Sequence, residues 1–391
     1  MSDRSLFHDE THLQHLGEDE HVKGAVTPPI FQTSLFVFDT IAEFHAAGDV
    51  THPEQTRSIY SRVGNPNLTF VEKKIAQLER AESCRLVNSG MSAMSAVILA
   101  NASAGSHIVC VDTVYGPTRK FLESLMARYG VETTFVDASD SEQIIESVRE
   151  NTSLIYLETP SSVVFQIQDL GQIATFARSR GIKTCVDSTY NAGLGLRPHT
   201  LGIDYVMHTV SKYFGGHSDL IGGAICGSKE DIDRILTLEL ETLGTLMPPF
   251  NAWLTLRGLR TLALRFQQSR QNAMALADAV SRLPEFESVI HVGRPDHPQA
   301  KLIESLGMQS GGLFSAIPKT RDVAKIHRFC ESLELFQIGV SWGGFESLAI
   351  PIQMAPLAWP EPRDFVRFYC GLEHGPDLVA DVTRCAHLLR D

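Results

Sequence analysis

Residues 183–209, KTCVDSTYNAGLGLRPHTLGIDYVMHT, contain two short apolar runs, at 183–187 and 205–209, that are separated by a segment long enough for a helix. Four similar runs precede them, again separated by segments of helix length, at 83–87, 107–112, 131–137 and 153–158. Short strands that are apolar on both faces and alternate with helices are typical of a mostly parallel sheet covered by helices. The sequence therefore predicts a doubly wound α/β domain.

The chain on either side of this pattern has a different character. Residues 1–66 have weak periodicity and predict an N-terminal arm that lacks a core and lies on another surface. The large domain is expected over 67–249, and a smaller α+β domain over 250–391, which starts with one long helix from Phe250 to about Leu283. In the smaller domain, strands are expected at 286–291, 312–316 and 365–370, and helices at 321–334 and 376–389.

Composition limits the classes of partner. The 391 residues include 34 Lys and Arg against 46 Asp and Glu, a net charge of −12, so no excess of basic surface is available for a nucleic acid or an anionic membrane. No apolar run reaches the roughly 18 residues that span a bilayer, and the polar N-terminus lacks a signal peptide, which predicts a cytoplasmic protein. Its seven widely spaced cysteines predict reduced thiols in the core, with neither a disulfide framework nor a metal site. The expected partners are small molecules or further copies of the chain.

Lys212 is the first candidate for chemistry. It follows the apolar run at 205–209, stands between Ser211 and Tyr213, and precedes the flexible segment FGGHSD at 214–219. A lysine in this place can reach the cleft at the carboxyl edge of the sheet, where ligands of such folds bind, and can form a Schiff base. Taken alone, a lysine beside a turn is more often an ordinary surface residue.

Asp187 ends the apolar run at 183–187, where burial of a carboxylate is unfavourable unless a cation pairs with it. A protonated pyridine nitrogen is such a cation, and an aspartate beside it keeps the ring an electron sink. The alternative is an aspartate that caps the turn or helix that follows the strand.

Residues 88–93, NSGMSA, follow the run at 83–87 and open a helix. Gly90 lets the backbone approach an anion, and the free amides at the start of the helix bind phosphate. An ordinary strand-to-helix turn would explain the same residues. A dinucleotide-binding loop is excluded, because Gly193 and Gly195 are followed by Pro198 where the third glycine would stand, and no Walker-type loop occurs.

Six motifs give the sequence a specific resemblance. They are YSRVGNP at 60–66, SGMSA at 89–93, DTVYG at 112–116, ETPS at 158–161, SKY at 211–213 with GHSD at 216–219, and SWGGFESL at 341–348. Over nearly its whole length the chain resembles the Cys/Met-metabolism family of pyridoxal phosphate enzymes, which includes cystathionine lyases and synthases, methionine γ-lyase and O-acetylhomoserine sulfhydrylase. The resemblance implies the aminotransferase-like fold (fold type I) and pyridoxal 5'-phosphate as the cofactor, bound by the large domain.

The resemblance also implies roles for individual residues. Lys212 would bind the cofactor as a Schiff base, Asp187 would pair with its ring nitrogen, and Tyr115 would stack on the ring, which makes Lys212 and Tyr115 the catalytic residues. The phosphate would be held by main-chain amides and hydroxyl groups, those of Gly90, Met91, Thr209 and Ser211.

The arm and the substrate receive roles in the same way. Tyr60 and Arg62 would reach the phosphate in a neighbouring subunit, which implies a homotetramer built from two dimers that share their active sites. Arg367, helped by Ser341, would bind the α-carboxylate of a small sulfur-containing amino acid, since a planar guanidinium suits a carboxylate.

Within the family, the sequence is most similar to bacterial cystathionine β-lyases. Trp342 and the segment DSTYNAG at 187–193 resemble that branch. Val63, in contrast, stands where cystathionine-handling members often have a second arginine, and Ser162 stands where many relatives have asparagine. The first hypothesis is a β-lyase that converts cystathionine or other S-substituted cysteines to thiol, pyruvate and ammonia. The alternatives are a γ-lyase, γ-synthase or sulfhydrylase of the same family, and a non-catalytic relative that binds the cofactor.

Overall fold

The computed structural model describes residues 7–18, 21–47 and 58–390, and two sheets organise them. The larger sheet contains β1 (Ser83–Val87), β2 (His107–Val111), β3 (Glu132–Val136), β4 (Thr152–Glu158), β5 (Lys183–Asp187), β6 (Tyr205–Thr209) and β7 (Gly223–Gly227). Its strand order is β1-β7-β6-β5-β4-β2-β3, in which β7 is antiparallel to both neighbours and the other pairs are parallel. The six predicted apolar runs are all strands, so the mostly parallel sheet is confirmed.

Helices connect the strands and pack around the two sheets. They are α1 (Asp9–His15), α2 (Ile41–Ala47), α3 (Pro66–Glu79), α4 (Gly90–Asn101), α5 (Gly116–Lys120), α6 (Ser141–Glu146), α7 (Leu170–Ser179), α8 (Lys229–Ile235), α9 (Glu241–Leu243), α10 (Pro249–Leu259), α11 (Leu262–Val280), α12 (Ala300–Ser305), α13 (Val323–Glu331) and α14 (Gly375–Cys385). Side-chain caps begin several of them: Asn65 accepts from Asn67 N at α3, Ser89 from Ser92 N at α4, and Asp169 from Gln172 N at α7.

The smaller sheet is antiparallel throughout. Its strands are β8 (Phe286–Ile290), β9 (Leu313–Pro318), β10 (Leu348–Met354) and β11 (Arg363–Tyr369), in the order β10-β11-β9-β8. Together with α11, α13 and α14 it encloses a separate apolar core that includes Phe329, Phe368 and Leu378. Three of its strands match predicted ones, and β10 was not predicted.

The single long helix predicted from Phe250 to about Leu283 is wrong. The chain forms α10 and α11 instead, with a break at Arg260 and Thr261. The buried Arg265 guanidinium donates to Gly258 O at 2.7 Å and to Thr261 Oγ1 at 3.0 Å, so the last carbonyls of α10 find a partner outside the helix. The helix therefore ends without a proline.

The first helix of the arm packs on its own chain. Leu13 of α1 is buried, and Lys74 Nζ of α3 lies 2.9 Å from Glu18 Oε1. The rest of the predicted arm, residues 1–6, 19–20 and 48–57, lies outside the described residues. Contact between the arm and a neighbouring subunit stays a prediction, as do the domain boundaries at 66 and 249.

All seven cysteines are buried and free of disulfide bonds in the described part of the chain. Burial raises the pKa of the Cys110 and Cys185 thiols, which keeps both side chains in the thiol form. Among the helices of the described ranges, none is long and apolar enough to cross a membrane.

Candidate active site

A cavity of about 500 Å³ opens at the carboxyl ends of β4, β5 and β6. Its other side is closed by residues of the segment before β10 and by Arg367 of β11. Strand ends of a parallel sheet form such a cleft, because the connections there diverge to opposite faces. Nine of the residues singled out from the sequence line this one cavity: Gly90, Met91, Tyr115, Asp187, Thr209, Ser211, Lys212, Ser341 and Arg367.

Two residues singled out from the sequence lie elsewhere. Tyr60 is 43% exposed, and the Arg62 guanidinium donates to Glu241 O at 2.8 Å while lying 5.7 Å from the centre of the Tyr60 ring. Neither side chain lines the cavity of its own chain.

Lys212 lies just beyond β6, in a turn closed by a hydrogen bond from Gly216 N to Lys212 O of 2.8 Å. Its Nζ donates to Ser341 Oγ at 2.7 Å and lies 5.5 Å from the centre of the Trp342 ring. Burial is the main cause that lowers the pKa of Lys212 to about 8, and the positive charge of Arg367 acts in the same direction. A substantial fraction of this amine is therefore neutral and nucleophilic near neutral pH.

Asp187 caps the turn after its strand and also lines the cavity. Its Oδ1 accepts from Thr189 N at 2.9 Å and from Thr189 Oγ1 at 2.5 Å, so the carboxylate does cap the turn after β5. No donor within the described residues reaches Oδ2, and the side chain lines the cavity. Burial raises the pKa of Asp187, because the ionised carboxylate is poorly solvated there. A cationic partner in the cavity would offset this cost of burying the charge.

The start of α4 forms a cradle opposite the end of β6. As the first residues of the helix, Gly90 and Met91 have main-chain amides without partners in the helix. A Cβ on Gly90 would lie 2.1 Å from Thr209 Oγ1, so only glycine fits this close approach. Ser211 Oγ accepts from Gly222 N at 3.0 Å. This bond fixes the Ser211 hydroxyl at the same carboxyl edge of the sheet as the Thr209 hydroxyl.

These groups fit pyridoxal phosphate by their chemistry. Amides and hydroxyls at a helix start suit a phosphate, the open oxygen of Asp187 suits a protonated ring nitrogen, and the Lys212 amine suits an aldehyde. The missing side chain at Gly90 lets the start of α4 pack directly against Thr209 at the end of β6.

Arg367 lies on β11 and is the group that matches a substrate carboxylate. Its Nη2 donates to Val340 O at 3.0 Å and to Ser341 O at 3.3 Å. No carboxylate among the described residues pairs with this guanidinium, and burial lowers its pKa to about 10. Since a buried cation without an anion is unfavourable, an incoming carboxylate would stabilise it.

Sequence reasoning assigned Glu158 no role beyond its place in the ETPS motif, and the structure shows that it ends β4 and is 8% exposed. Its Oε2 accepts from Tyr115 N at 2.7 Å, and its Oε1 accepts from Ser162 Oγ at 2.6 Å. Burial, followed by the negative charge of Asp187, raises its pKa to about 8. The signal was present, because a carboxyl group at the end of a buried strand next to the strand of Asp187 falls at the same sheet edge.

The chain is similar to known proteins over nearly its whole length. A family of sequences described as Cys/Met metabolism PLP-dependent enzymes matches residues 10–386. The L-methionine gamma-lyase of Porphyromonas gingivalis is 36% identical over 383 residues, which cover 95% of each chain. The cystathionine beta-lyase of Bordetella avium is 33% identical over 393 residues, which cover 98% of each chain. The crystal structure of metB from Corynebacterium glutamicum superposes with a TM-score of 0.89 at 31% identity, covering 98% of this chain and 99% of that one.

These matches confirm the resemblance and the aminotransferase-like fold that the sequence predicts. The relatives also include a cystathionine gamma-lyase of Bacillus subtilis, 33% identical over 92% of this chain and 93% of its own length. Relatives of similar identity are thus named for different reactions.

Proposed function

Because this chain belongs to the family of Cys/Met metabolism PLP-dependent enzymes, we propose that it is a carbon–sulfur β-lyase that acts on cystathionine or other S-substituted cysteines. The products are a thiol, pyruvate and ammonia. The observation that carries the proposal is the placement of the Lys212 amine and the unpaired Arg367 guanidinium on one cavity whose remaining wall is largely apolar.

The residues that hold the cofactor are those of the cradle and the strand ends. Pyridoxal phosphate, when bound, supplies an electron sink for the negative charge that forms at the substrate α-carbon. The amides of Gly90 and Met91 and the hydroxyls of Thr209 and Ser211 would hold its phosphate. Asp187, whose Oδ1 is fixed by Thr189, would favour the protonated form of its ring nitrogen.

Lys212 is the group that moves protons in this proposal. With a pKa of about 8, its amine is partly neutral at neutral pH and can take the α-proton at Nζ. Ser341 Oγ accepts a hydrogen bond from the same Nζ, which orients the amine toward the segment before β10. Arg367 binds the α-carboxylate and so places the α-carbon next to this amine.

The leaving group would lie against an apolar wall that contains Val163, Phe165 and Trp342. Val163 and Phe165 have φ values of 67° and 51°, a region that bulky and β-branched residues rarely adopt. Both side chains are buried, so packing holds the loop in this conformation. Such a wall favours an uncharged thioether side chain, because a polar group without a partner there would be costly.

A γ-elimination or γ-replacement activity is the second candidate. It is favoured by the same apolar wall, which suits a methionine-like side chain, and by the names of several relatives, methionine and cystathionine gamma-lyases among them. This reaction requires a second deprotonation, at the β-carbon, after the first one by Lys212.

We also propose a homotetramer of two dimers in which Tyr60 and Arg62 complete the site of a neighbouring subunit. The support is that neither residue lines the cavity of its own chain. Apolar side chains of the arm, such as Val26 at 81% and Ile41 at 72% exposure, would be covered by such an assembly. A cytoplasmic location stays a prediction from the sequence.

Product identity tests the proposal. The purified, cofactor-loaded protein is incubated with cystathionine, an S-alkyl cysteine and O-acetylhomoserine, and the 2-oxo acid is identified. Pyruvate from the first two substrates supports β-elimination, whereas 2-oxobutyrate as the only product would establish the γ-reaction. A Lys212→Ala variant is the control, and no product from the loaded wild-type protein would favour the non-catalytic alternative.

A further inference from the structure

Two carboxyl side chains lie next to each other where the central strands β4 and β5 of the large sheet end. Glu158 is the last residue of β4, Asp187 is the last residue of β5, and the two are register partners in the parallel pair. Both line the cavity. Ionising both of two adjacent buried carboxyl groups is costly. One of them therefore tends to keep its proton unless a cation lies between them.

Glu158 uses both oxygens to join two separate loops. Oε2 accepts from Tyr115 N in the connection between β2 and α5, and Oε1 accepts from Ser162 Oγ in the loop after β4. A further bond from Ser162 N to Thr113 O, 3.0 Å long, ties the same two loops. The main chain of Tyr115 is thus placed by Glu158, although its side chain is 50% exposed.

Both contacts persist when Glu158 carries a proton. A protonated Oε1 donates to Ser162 Oγ, since a hydroxyl accepts as well as donates, and Oε2 continues to accept from Tyr115 N. The raised pKa of Glu158, about 8, favours this form at neutral pH. A neutral Glu158 then places no second negative charge beside Asp187.

We propose that Glu158 is a positioning residue of this site, which holds Tyr115 and Ser162 against the cavity through two hydrogen bonds and does not need a negative charge to do so. The inference rests on the proposed function only in treating Tyr115 as a residue that contacts the cofactor. It is independent of which amino acid is the substrate.

Three variants separate the hydrogen bonds from the charge. Glu158→Gln keeps both contacts without charge, because its carbonyl accepts from Tyr115 N and its amide donates to Ser162 Oγ. Glu158→Asp keeps the charge but is one methylene too short to reach both loops. Glu158→Ala removes the charge and both contacts. Glu142→Ala, an exposed glutamate on α6, is the matched control.

The first readout is cofactor retention, measured as the dissociation constant of pyridoxal phosphate from the holoenzyme by its visible absorbance on dilution. We expect Glu158→Ala and Glu158→Asp to lose affinity about tenfold or more, the range for an unsatisfied buried donor, with Glu158→Gln within about threefold of wild type. If the alanine variant does not fold, the comparison of Gln with Asp decides alone.

Two results would overturn the inference. One is an alanine or aspartate variant that retains the cofactor as well as wild type does. The other is a glutamine variant as defective as the aspartate variant, which would show that both length and charge are required. Since cofactor retention needs no substrate, failure of the β-lyase proposal would leave this test valid.

Discussion

Lys212 Nζ lies 2.7 Å from Ser341 Oγ, although the two residues are 129 positions apart and belong to opposite sides of the cavity. Lys212 follows the large sheet at the end of β6, and Ser341 lies in the segment that enters the small sheet at β10. The hydrogen bond therefore closes the cavity around the amine that the sequence had singled out for covalent chemistry.

Cofactor attachment at Lys212 is the first prediction. Borohydride reduction of the loaded protein should fix the cofactor to one lysine, because the strand-end position and the neutral fraction of this amine suit a Schiff base. Peptide mapping of the reduced protein should place the label on Lys212. Labelling of another lysine, with Lys212 unmodified, would contradict the assignment.

The second prediction is the pH dependence of Lys212 reactivity in the cofactor-free protein. Its pKa is lowered from 10.5 to about 8, so the neutral, reactive amine should reach half of its maximum near pH 8 and increase above it. Trace labelling with an amine reagent, resolved by peptide, measures this directly. Lys301, exposed on α12, is a suitable internal comparison. A midpoint for Lys212 near 10.5 would refute the prediction.

Much of the large sheet was predictable, because each of its parallel strands is an apolar run between helix-length segments. β7 was missed because its sequence, GAICG, is bounded by glycines, which usually indicate a loop. The structure explains the glycine at 223, where a Cβ would lie 2.3 Å from Ser89 O. β10 contains Pro351, which a strand accepts only at an edge, and β10 is an edge strand.

The candidate site, like the fold, was predictable only in part. Asp187 and Lys212 were predicted because each stands alone at a strand end with a residue type that a pyridine cofactor requires. The break between α10 and α11 and the role of Glu158 both depend on contacts between distant segments, such as Arg265 with Gly258 and Glu158 with Tyr115. The strand-end position of Glu158 indicates that it lies at the sheet edge, but no local pattern in the sequence shows which loops it joins or where the helix breaks.

The third prediction concerns stability. Glu158 has its pKa raised from 4.5 to about 8, so between these values the folded chain keeps a proton that the unfolded chain has lost. The contribution of Glu158 to the stability of the cofactor-free protein should therefore fall as pH rises through this window and level off above it. Glu158→Gln removes this contribution, so its stability relative to wild type should increase with pH up to about 8. Urea unfolding midpoints across the window measure it; a difference that does not vary with pH would contradict the assignment.

The fourth prediction is complementation between subunits. Arg62→Ala and Lys212→Ala should each abolish most activity, since one would remove the proposed phosphate contact and the other the proposed catalytic amine. If Arg62 acts in a neighbouring site, hybrid dimers contain one site with both residues intact, and mixing the two variants under subunit exchange should restore part of the activity. Exchange must be shown separately, for example with tagged subunits. Exchange without recovery would mean that each chain completes its own site.

The fifth prediction concerns the distal end of the substrate. Arg367 accounts for the α-carboxylate, whereas Val63, beside Arg62, offers nothing to a second carboxylate. A distal carboxylate left unpaired in a closed site costs ~1 to 3 kcal/mol, so wild type should act on several S-alkyl cysteines with at most a modest preference for cystathionine. Val63→Arg should raise kcat/KM for cystathionine relative to an S-alkyl cysteine, with Val63→Leu as a control for size. A wild-type preference for cystathionine above roughly a hundredfold, ~2.7 kcal/mol in transition-state binding, would show that another group holds the distal end.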